Sequence, residues 1–315
     1  MKAIRSDSLP EGRGKDWWLK ELSVLWVFTK ILKSSSEEKF HDLGEIHHQL
    51  CNFLDPHLNQ SQRKFISIFR GSYKTTILLS LCLYLFCWSL VTGEPMTINY
   101  NTSTKENAEA FMDDFRNSVL NSKILQWVFG LPTSQAGYGK WTRYKVKYKW
   151  AEFTVSSLET RQVSRHKKVY INDDLVNDDN AFSEVERDKI FRKWRLQKSI
   201  LTRYKKRKVG LEVDVGTPFH HSDLISHLIR NVKTYDKFIM PYRIMGLDGK
   251  WMLTFPEMFT WEDFREIKED QGESLFATQY ELVVIDDVDR LAQEKNIRRW
   301  MFLPDCFFRM MIIDP

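Results

Sequence analysis

The chain has 315 residues, of which 43% are hydrophobic and 28% are charged. That composition is typical of globular proteins with room for about two domains, and it excludes disordered and fibrous chains. The formal net charge is only +5, but residues 187–208 contain eleven Lys or Arg and a single acid, Asp188. Positive charge gathered in one stretch indicates either a polyanionic partner such as nucleic acid or a solvated helix face.

Cysteine usage and apolar runs limit the class of protein further. The four cysteines fit no zinc-binding spacing, so we expect reduced and mostly buried thiols. The N-terminus lacks the apolar core of a signal peptide, so we expect none. The uncharged run 77–91 is shorter than the roughly 18–20 residues that span a bilayer, which predicts a buried core helix. A membrane anchor is the alternative for this run.

From about residue 64, short strand-like runs alternate with helical patterns. The strand-like runs are residues 65–69, 96–100, 168–172 and 210–215, and a helical pattern follows each of them. Alternation of this kind predicts a mostly parallel sheet flanked by helices. After residue 236 the sequence becomes loop-rich, with a predicted helix from about residue 261 to residue 270.

Between the second and third of these runs, residues 140–150 alternate strictly, which predicts one antiparallel strand. Four cations would share one face of that strand, and such a face is either solvated or in contact with nucleic-acid phosphates. These candidate DNA-binding residues are Arg143, Lys145, Lys147 and Lys149. Lys205 and Arg207, in the basic stretch 187–208, are further candidates for DNA contact.

The strongest local signal is the turn after the first strand, at residues 68–76. A short polar loop carries Lys74 and Thr75, and a helical pattern starts directly behind it. This is the layout of a phosphate-binding loop, in which amides at the helix N-terminus, a lysine ammonium and a Mg²⁺-binding hydroxyl surround a polyphosphate. The glycines of the usual G-x-x-x-x-G-K-[ST] spacing are missing, so an ordinary strand–helix turn is the alternative.

Two adjacent carboxylates, Asp173 and Asp174, follow the strand-like run 168–172. Paired acids at the end of a buried strand are unfavourable without a cation, because like charges repel strongly where water is excluded. We interpret Asp173 as a Mg²⁺ ligand and Asp174 as the residue that orients and polarises the attacking water. The alternative is that both cap the following turn. The run 210–215 leads into Thr217, whose hydroxyl we interpret as a sensor of the γ-phosphate position.

With these three elements in this order, the chain resembles the ATPase half of the large terminase subunit of tailed bacteriophages, the motor that drives DNA into a procapsid. The similarity extends over nearly the whole chain. In particular, residues 70–75 (RGSYKT) resemble the family's deviant loop, with an Arg four residues before the Lys. The other segments that carry the resemblance are residues 46–50, 107–130, 171–177, 216–224, 248–257 and 276–280.

The resemblance implies an α/β P-loop fold of the ASCE type, with a mostly parallel sheet flanked by helices and a small linker subdomain of helices and loops. It implies ATP and Mg²⁺ as cofactors, Lys74, Asp174 and Arg70 as catalytic residues, and coupling through Thr217. The residues implied to bind the nucleotide phosphates are Arg70, Gly71, Ser72, Tyr73, Lys74, Thr75 and Thr76. Thr75 and Asp173 would hold the metal.

The resemblance also implies partners and further functional residues. The partners are double-stranded DNA, a portal protein and a small terminase subunit, with identical subunits in a ring on the procapsid and no membrane. The implied location is the host cytoplasm, transiently at the procapsid portal. Arg165 is the candidate arginine acting on a neighbouring subunit's nucleotide, with Arg161 as a competitor, and each is equally well a surface residue.

The expected division is an N-terminal helical segment (1–44), a P-loop core (45–235), a linker or lid subdomain (236–300) and the first strand of an RNase H-like nuclease (301–315). Asp314 would be that nuclease's first metal ligand, and without partner carboxylates we expect no DNA cleavage. Where this chain has Asp174, ATPases of this type mostly carry a Glu, one methylene longer.

Two other classes of protein stay open as alternatives. One is a helicase-like translocase on single strands, which normally has a second motor domain, and the residues after 236 are too few for one. The other is a basic DNA-binding protein that does not hydrolyse nucleotide and carries the lysine loop by accident. A phosphate-release assay with and without DNA separates the second alternative from a motor.

Overall fold

The structure is a computed structural model that describes residues 14–33, 43–159, 166–201 and 210–285. The helices within these ranges are α1 Lys15–Glu21, α2 Leu25–Lys33, α3 Glu45–Leu54, α4 Lys74–Thr92, α5 Lys105–Asn121, α6 Lys123–Phe129, α7 Asp178–Ala181, α8 Glu184–Ile200, α9 Leu224–Arg230, α10 Trp261–Gln271 and α11 Glu273–Phe276. The strands are β1 Arg63–Ile68, β2 Met96–Thr102, β3 Lys140–Thr142, β4 Lys145–Tyr148, β5 Ala151–Ser157, β6 Val169–Asp173, β7 Leu211–Val215, β8 Asp236–Met240, β9 Arg243–Met245 and β10 Trp251–Leu253.

Eight of these strands form one sheet in the order β3-β4-β5-β2-β6-β7-β1-β8. From β5 to β8 all neighbours pair parallel, whereas β3 and β4 add an antiparallel hairpin at one edge. Helices connect the parallel strands, as crossover connections require. The predicted fold class, a mostly parallel sheet flanked by helices, is confirmed. Since β1, β6 and β7 run in one direction, the loops after them meet at the same end of the sheet.

Helix α4 lies at the centre of the core. Its residues from Ile77 to Cys87 are buried on every side of the helix, because it packs against β2, β5 and the surrounding helices α2, α3, α5 and α6. The helix is long and apolar enough to cross a membrane by composition, but 61% of its most apolar window is buried inside the protein. The prediction of a buried core helix for residues 77–91 is therefore confirmed.

The N-terminal helices α1 and α2 cover the far end of α4. Tyr84 donates a hydrogen bond from its hydroxyl to the backbone oxygen of Ser23, at 2.9 Å. The indole N–H of Trp88 donates to the backbone oxygen of Leu22, at 3.2 Å. These contacts fix the described part of the expected N-terminal segment to the core.

Residues 140–150 do not form the single strand that we predicted. A turn at Arg143 and Tyr144 divides them into β3 and β4, and Lys149 adopts a positive φ of 50° before β5 begins. This reversal allows β3 to pair with β4, and β4 to pair with β5, at the edge of the sheet. It also buries Val146. The four cations therefore do not share one strand face.

A second difference concerns the residues after 235. Residues 236–240, expected to be loop-rich, form β8 and pair parallel with β1. This pairing satisfies backbone groups of β1 that an edge position would leave open. The sheet thus extends past residue 235, the expected end of the core. The predictions for residues 286–315, including Asp314, and for Arg161, Arg165, Lys205 and Arg207 lie outside the described residues.

Glu152 of β5 connects the hairpin to the rest of the sheet through two ion pairs. Its carboxylate oxygens lie 2.5 Å from Lys145 Nζ and 2.8 Å from Lys167 Nζ. Burial by itself would raise the pKa of Glu152, but the hydrogen bonds and charges of the two lysines lower this pKa to about 2. Because folding lowers the pKa of Glu152, its ion pairs stabilise the folded state at pH values above the pKa that Glu152 has in the unfolded chain. This stabilisation is lost as the pH falls through the lower pKa of the folded state.

We expect Glu152→Gln to flatten the acid limb of the stability curve. Between about pH 4.5 and about pH 2 the wild-type free energy of unfolding should fall more steeply than that of the variant, which has no carboxylate to protonate. Near neutral pH the variant should be less stable by about 1–3 kcal/mol, because two lysines lose their partner. Urea denaturation followed by circular dichroism measures both, with exposed Glu106→Gln as the control. Equal pH slopes for wild type and Glu152→Gln would contradict the assignment.

Candidate active site

The loop between β1 and α4 makes a sharp turn at the end of β1. Gly71 has a φ of 87° and Tyr73 a φ of 52°, so two residues of this loop lie in the left-handed region. A Cβ on Gly71 would also lie 3.1 Å from the ring of Phe259, which is a second reason for glycine there. Helix α4 then begins at Lys74 without a side-chain cap. Its first backbone N–H groups are therefore available to an anion.

Two parts of the chain hold this loop from opposite sides. His47 of α3 accepts a hydrogen bond from Gly44 N at Nδ1, at 3.0 Å, which places its proton on Nε2. The Nε2–H then donates to the backbone oxygen of Ser72, at 3.2 Å. From the other side, Gln279 accepts from Arg70 at both its backbone and its side-chain oxygen, each at 3.0 Å. The loop between β1 and α4 is thus fixed by tertiary contacts.

The residues predicted to bind phosphate and metal meet at the end of β6. Lys74 Nζ lies 3.9 Å from Asp174 Oδ1. The Thr75 hydroxyl donates to Asp173 Oδ2 at 2.9 Å. A residue that the sequence did not indicate, Tyr100 of β2, donates from its hydroxyl to the same Oδ2 at 2.7 Å. One lysine, two acids and two hydroxyls therefore form a continuous polar cluster.

The two acids differ in environment. Asp173 is 2% exposed, whereas the side chain of Asp174 is 47% exposed. Burial first, and the Asp174 charge second, raise the pKa of Asp173 above its usual range, opposed by Tyr100, Lys74 and Thr75. Asp174 has a positive φ of 44°, which Asp tolerates better than most residues. Asp173 is thus the fixed and buried acid of the pair, and Asp174 the accessible one.

The residues present fit a magnesium ion that arrives with a polyphosphate. Asp173 Oδ1 is buried without a hydrogen-bond partner, and a nearby cation would offset the repulsion between the two acids. Mg²⁺ prefers oxygen donors and commonly takes one or two carboxylates, with waters and phosphates as its other ligands. The described residues contain no cluster of three or more His, Cys, Asp or Glu that could hold a metal alone.

The loop after β7 passes beside the accessible acid. A Cβ placed on Gly216 would lie 3.6 Å from Asp174 Oδ1, and the next residue, Thr217, is buried. Asp223 caps α9, and its carboxylate also accepts from the backbone N–H groups of Phe219 at 2.7 Å and His220 at 2.9 Å. Thr217 therefore lies next to the site on a loop that a buried carboxylate holds in shape.

The four candidate DNA-binding residues of 140–150 are separated in the structure. Arg143 pairs with Glu109 of α5, and Lys145 pairs with Glu152. Lys149 lies over the rings of Tyr148 and Trp150. Lys147 is exposed on β4, and its register partner on β3 is another exposed lysine, Lys140.

Comparison with known proteins gives a likeness of structure only. No protein-family model and no curated protein matches the chain. Among solved structures, the large terminase of bacteriophage HK97 superposes on 78% of this chain, with a TM-score of 0.52 and 13% sequence identity. The chain has the P-loop ATPase fold of the large terminases. It spans about half of the HK97 protein, since the match covers 51% of that chain.

An ATPase-domain mutant of the large terminase of Thermus phage P74-26 superposes on 79% of this chain and 99% of its own. That TM-score is 0.46 and the identity 12%, so we rest the assignment of a terminase fold on the HK97 protein. The resemblance stated from the sequence is confirmed as a likeness of fold. The roles of individual residues stay predictions.

Sequence reasoning missed three residues around the site: His47, Tyr100 and Gln279. His47 and Gln279 lie in segments that carry the resemblance to terminases, but nothing local in the sequence indicates that they contact the loop at 70–73. Tyr100 lies in a predicted strand, and its contact with Asp173 depends on the register between β2 and β6.

Proposed function

We propose that the chain is a Mg²⁺-dependent ATPase that translocates double-stranded DNA, as the motor of a phage packaging machine. The observation that supports this most directly is the cluster at the end of β6. There Lys74 Nζ lies 3.9 Å from Asp174 Oδ1, and Thr75 donates to Asp173 at 2.9 Å. A lysine, a hydroxyl and two acids behind an uncapped helix N-terminus are the groups that phosphoryl transfer to water uses.

Each residue of the cluster has a proposed task. Lys74 binds phosphate oxygens together with the backbone N–H groups of residues 71–76, while Arg70 supports them from the exposed side of the loop. The Thr75 hydroxyl and Asp173 hold Mg²⁺, and the bound ion neutralises charge on the phosphates. Lys74 pairs with Asp174 in this structure; once phosphates take that lysine, the Asp174 carboxylate can orient a water. Thr217, next to Asp174, couples phosphate loss to movement.

We propose that DNA lies against the polar face of β3, β4 and β5. Lys140 and Lys147 are opposite each other across the hairpin, and like charges in that position destabilise a sheet. On the same face, Lys145 and Lys167 share the single acid Glu152. Lys145 and Lys167 are largely buried. Lys140 and Lys147 are therefore the cations that this surface offers to the phosphate backbone of DNA. This surface replaces the continuous basic strand that the sequence predicted.

The remaining parts of the proposal rest on the terminase fold. The chain would act as a ring of identical subunits on a portal in the host cytoplasm, with a small terminase subunit. A division into a P-loop core and a linker or lid subdomain fits the separate two-stranded sheet of β9 and β10. Cleavage of DNA is not part of the proposed function of this chain.

We expect Lys74→Ala to abolish ATP turnover while the fold stays intact, because the phosphates lose their only proposed side-chain ammonium. Phosphate release, with and without double-stranded DNA, should fall at least about 100-fold. The circular dichroism spectrum should not change. Lys123→Ala, which removes an exposed lysine of α6, is the matched control and should retain full turnover. Normal hydrolysis by Lys74→Ala would show that the loop is an ordinary strand–helix turn.

Asp174→Asn should separate binding from hydrolysis. The variant should bind a fluorescent ATP analogue at least as tightly as wild type, since a negative charge near the phosphates is removed. Its turnover should fall by about 10²- to 10⁴-fold, because the amide cannot accept a proton from water. Asp174→Glu should retain turnover. If Asp174→Asn loses nucleotide binding and turnover equally, Asp174 does not act on water.

Double charge reversal tests whether DNA contacts the polar face of β3, β4 and β5. Lys140→Glu with Lys147→Glu should weaken binding to a double-stranded DNA at least about tenfold and reduce the slope of log affinity against log salt by about 1–2. The control pair, Lys105→Glu with Lys123→Glu, changes the net charge equally on α5, which packs on the opposite face of β5, and on α6, which packs against α4 and α5. Fluorescence anisotropy over a range of salt concentrations measures both. Equal effects in the two pairs would exclude a local contact.

A further inference from the structure

Tyr100 is the one cluster residue for which neither the sequence nor the proposed reaction gives a task. It lies on β2 and is 2% exposed, with its hydroxyl 2.7 Å from Asp173 Oδ2. The Tyr100 hydroxyl is the donor in this bond and Asp173 Oδ2 is the acceptor. Hydrogen bonds to a charged acceptor are stronger than neutral ones, and the contact therefore orients the carboxylate.

Packing fixes the position of the Tyr100 ring independently of Asp173. The ring stacks on Phe111 of α5, with ring centroids 3.6 Å apart and an angle of 11° between the planes. Its backbone pairs with Ile171 of β6 and with Val155 of β5, so strands hold it on both sides. The hydroxyl is thus a donor held in place by the core, and Asp173 is the group that adjusts to it.

The two oxygens of Asp173 are used unequally. Oδ2 accepts from both Tyr100 and Thr75, whereas Oδ1 is buried and has no hydrogen-bond partner. Two donors on one oxygen fix both the rotation of the carboxylate and the choice of the oxygen that is left over. That oxygen is the one available to a cation or to its water shell.

We propose that Tyr100 is a positioning residue for the metal site: its hydroxyl holds Asp173 so that Oδ1 is presented to Mg²⁺. This inference rests on the proposed function and deepens it, because it names a residue that sets metal affinity. Groups that orient a metal-binding side chain typically change metal affinity by about 10–100-fold when removed. A purely structural tyrosine would change the stability of the fold and leave metal affinity unchanged.

The test compares Tyr100→Phe with Tyr84→Phe. Tyr84 is a second buried tyrosine, on α4, whose hydroxyl donates to a backbone oxygen at 2.9 Å. Each variant loses one buried hydroxyl and one hydrogen bond, so Tyr84→Phe shows what that loss alone does to the melting temperature and to metal binding. The probes are Mn²⁺, titrated into the protein–ADP complex by electron paramagnetic resonance, and a fluorescent ADP analogue, titrated with Mg²⁺ or with a chelator.

For Tyr100→Phe we expect the Kd for Mn²⁺ to rise about tenfold, with unchanged analogue binding in chelator and with turnover largely recovered at high Mg²⁺. Tyr84→Phe should bind Mn²⁺ as wild type does. If Tyr100→Phe does not fold, Phe111→Leu keeps the hydroxyl but removes the stacked ring, and it should raise the same Kd severalfold.

Wild-type Mn²⁺ affinity in the folded variants, with nucleotide binding intact, would overturn the role of Tyr100 and leave the proposed function standing. Failure of the wild-type chain to bind the ADP analogue under any condition would contradict the proposed function itself, and this inference with it. The two failures are therefore distinguished by one titration of the wild-type protein.

Discussion

Lys74 comes close to the paired acids because three parallel strands have their carboxyl ends at the same end of the sheet. β1 leads to the lysine, β6 ends in the acids, and β7 lies between them. Neighbouring strands are about 4.8 Å apart, so β1 and β6 are separated by roughly 10 Å. The side chains of Lys74 and Thr75, at the start of α4, reach across that distance to the acids. Gly216 leaves room there, since a Cβ would come within 2.7 Å of Ile225.

The unusual sequence of the loop between β1 and α4, which we propose binds phosphate, has a physical explanation in its surroundings. Loops of this kind commonly use glycines to reach conformations closed to other residues. Here Tyr73 takes a left-handed conformation, which costs about 1–3 kcal/mol for such a residue. Its ring packs against Phe255. His47 and Gln279 hold two residues that precede Tyr73, Ser72 and Arg70. Contacts from distant parts of the chain therefore stabilise a loop conformation that the common motif reaches through its glycines.

The sequence predicted what depends on local pattern and missed what depends on register. The alternation of strand-like and helical patterns predicted the fold class. The two acids after the third strand-like run correctly marked where β6 ends. The alternation of polar and apolar residues in 140–150 continues through the two-residue turn between β3 and β4. A pattern that repeats every two residues looks the same on both sides of such a turn, so it does not indicate that the chain reverses. β8 is a half-exposed edge strand with only three consecutive apolar residues, Phe238 to Met240. The contact between Tyr100 and Asp173 joins residues on neighbouring strands, and no single segment contains it.

The two faces of β6 explain why one acid is fixed and the other is accessible. On one face Tyr100 and Thr75 hold Asp173. On the opposite face Asn172 accepts from Asn101 at 3.0 Å and donates to Asp214 at 2.6 Å.

The end of β6 is therefore hydrogen-bonded on both sides, and it cannot shift without breaking buried polar contacts, which are unfavourable to leave unpaired. Asp174 lies one residue beyond this anchored segment, and its side chain is half exposed. In the proposed function, Asp173 as a metal ligand keeps its place through the reaction, whereas Asp174 releases Lys74 when phosphate arrives and then orients water. Asp173 is the last residue of β6, and Asp174 is the first residue beyond it.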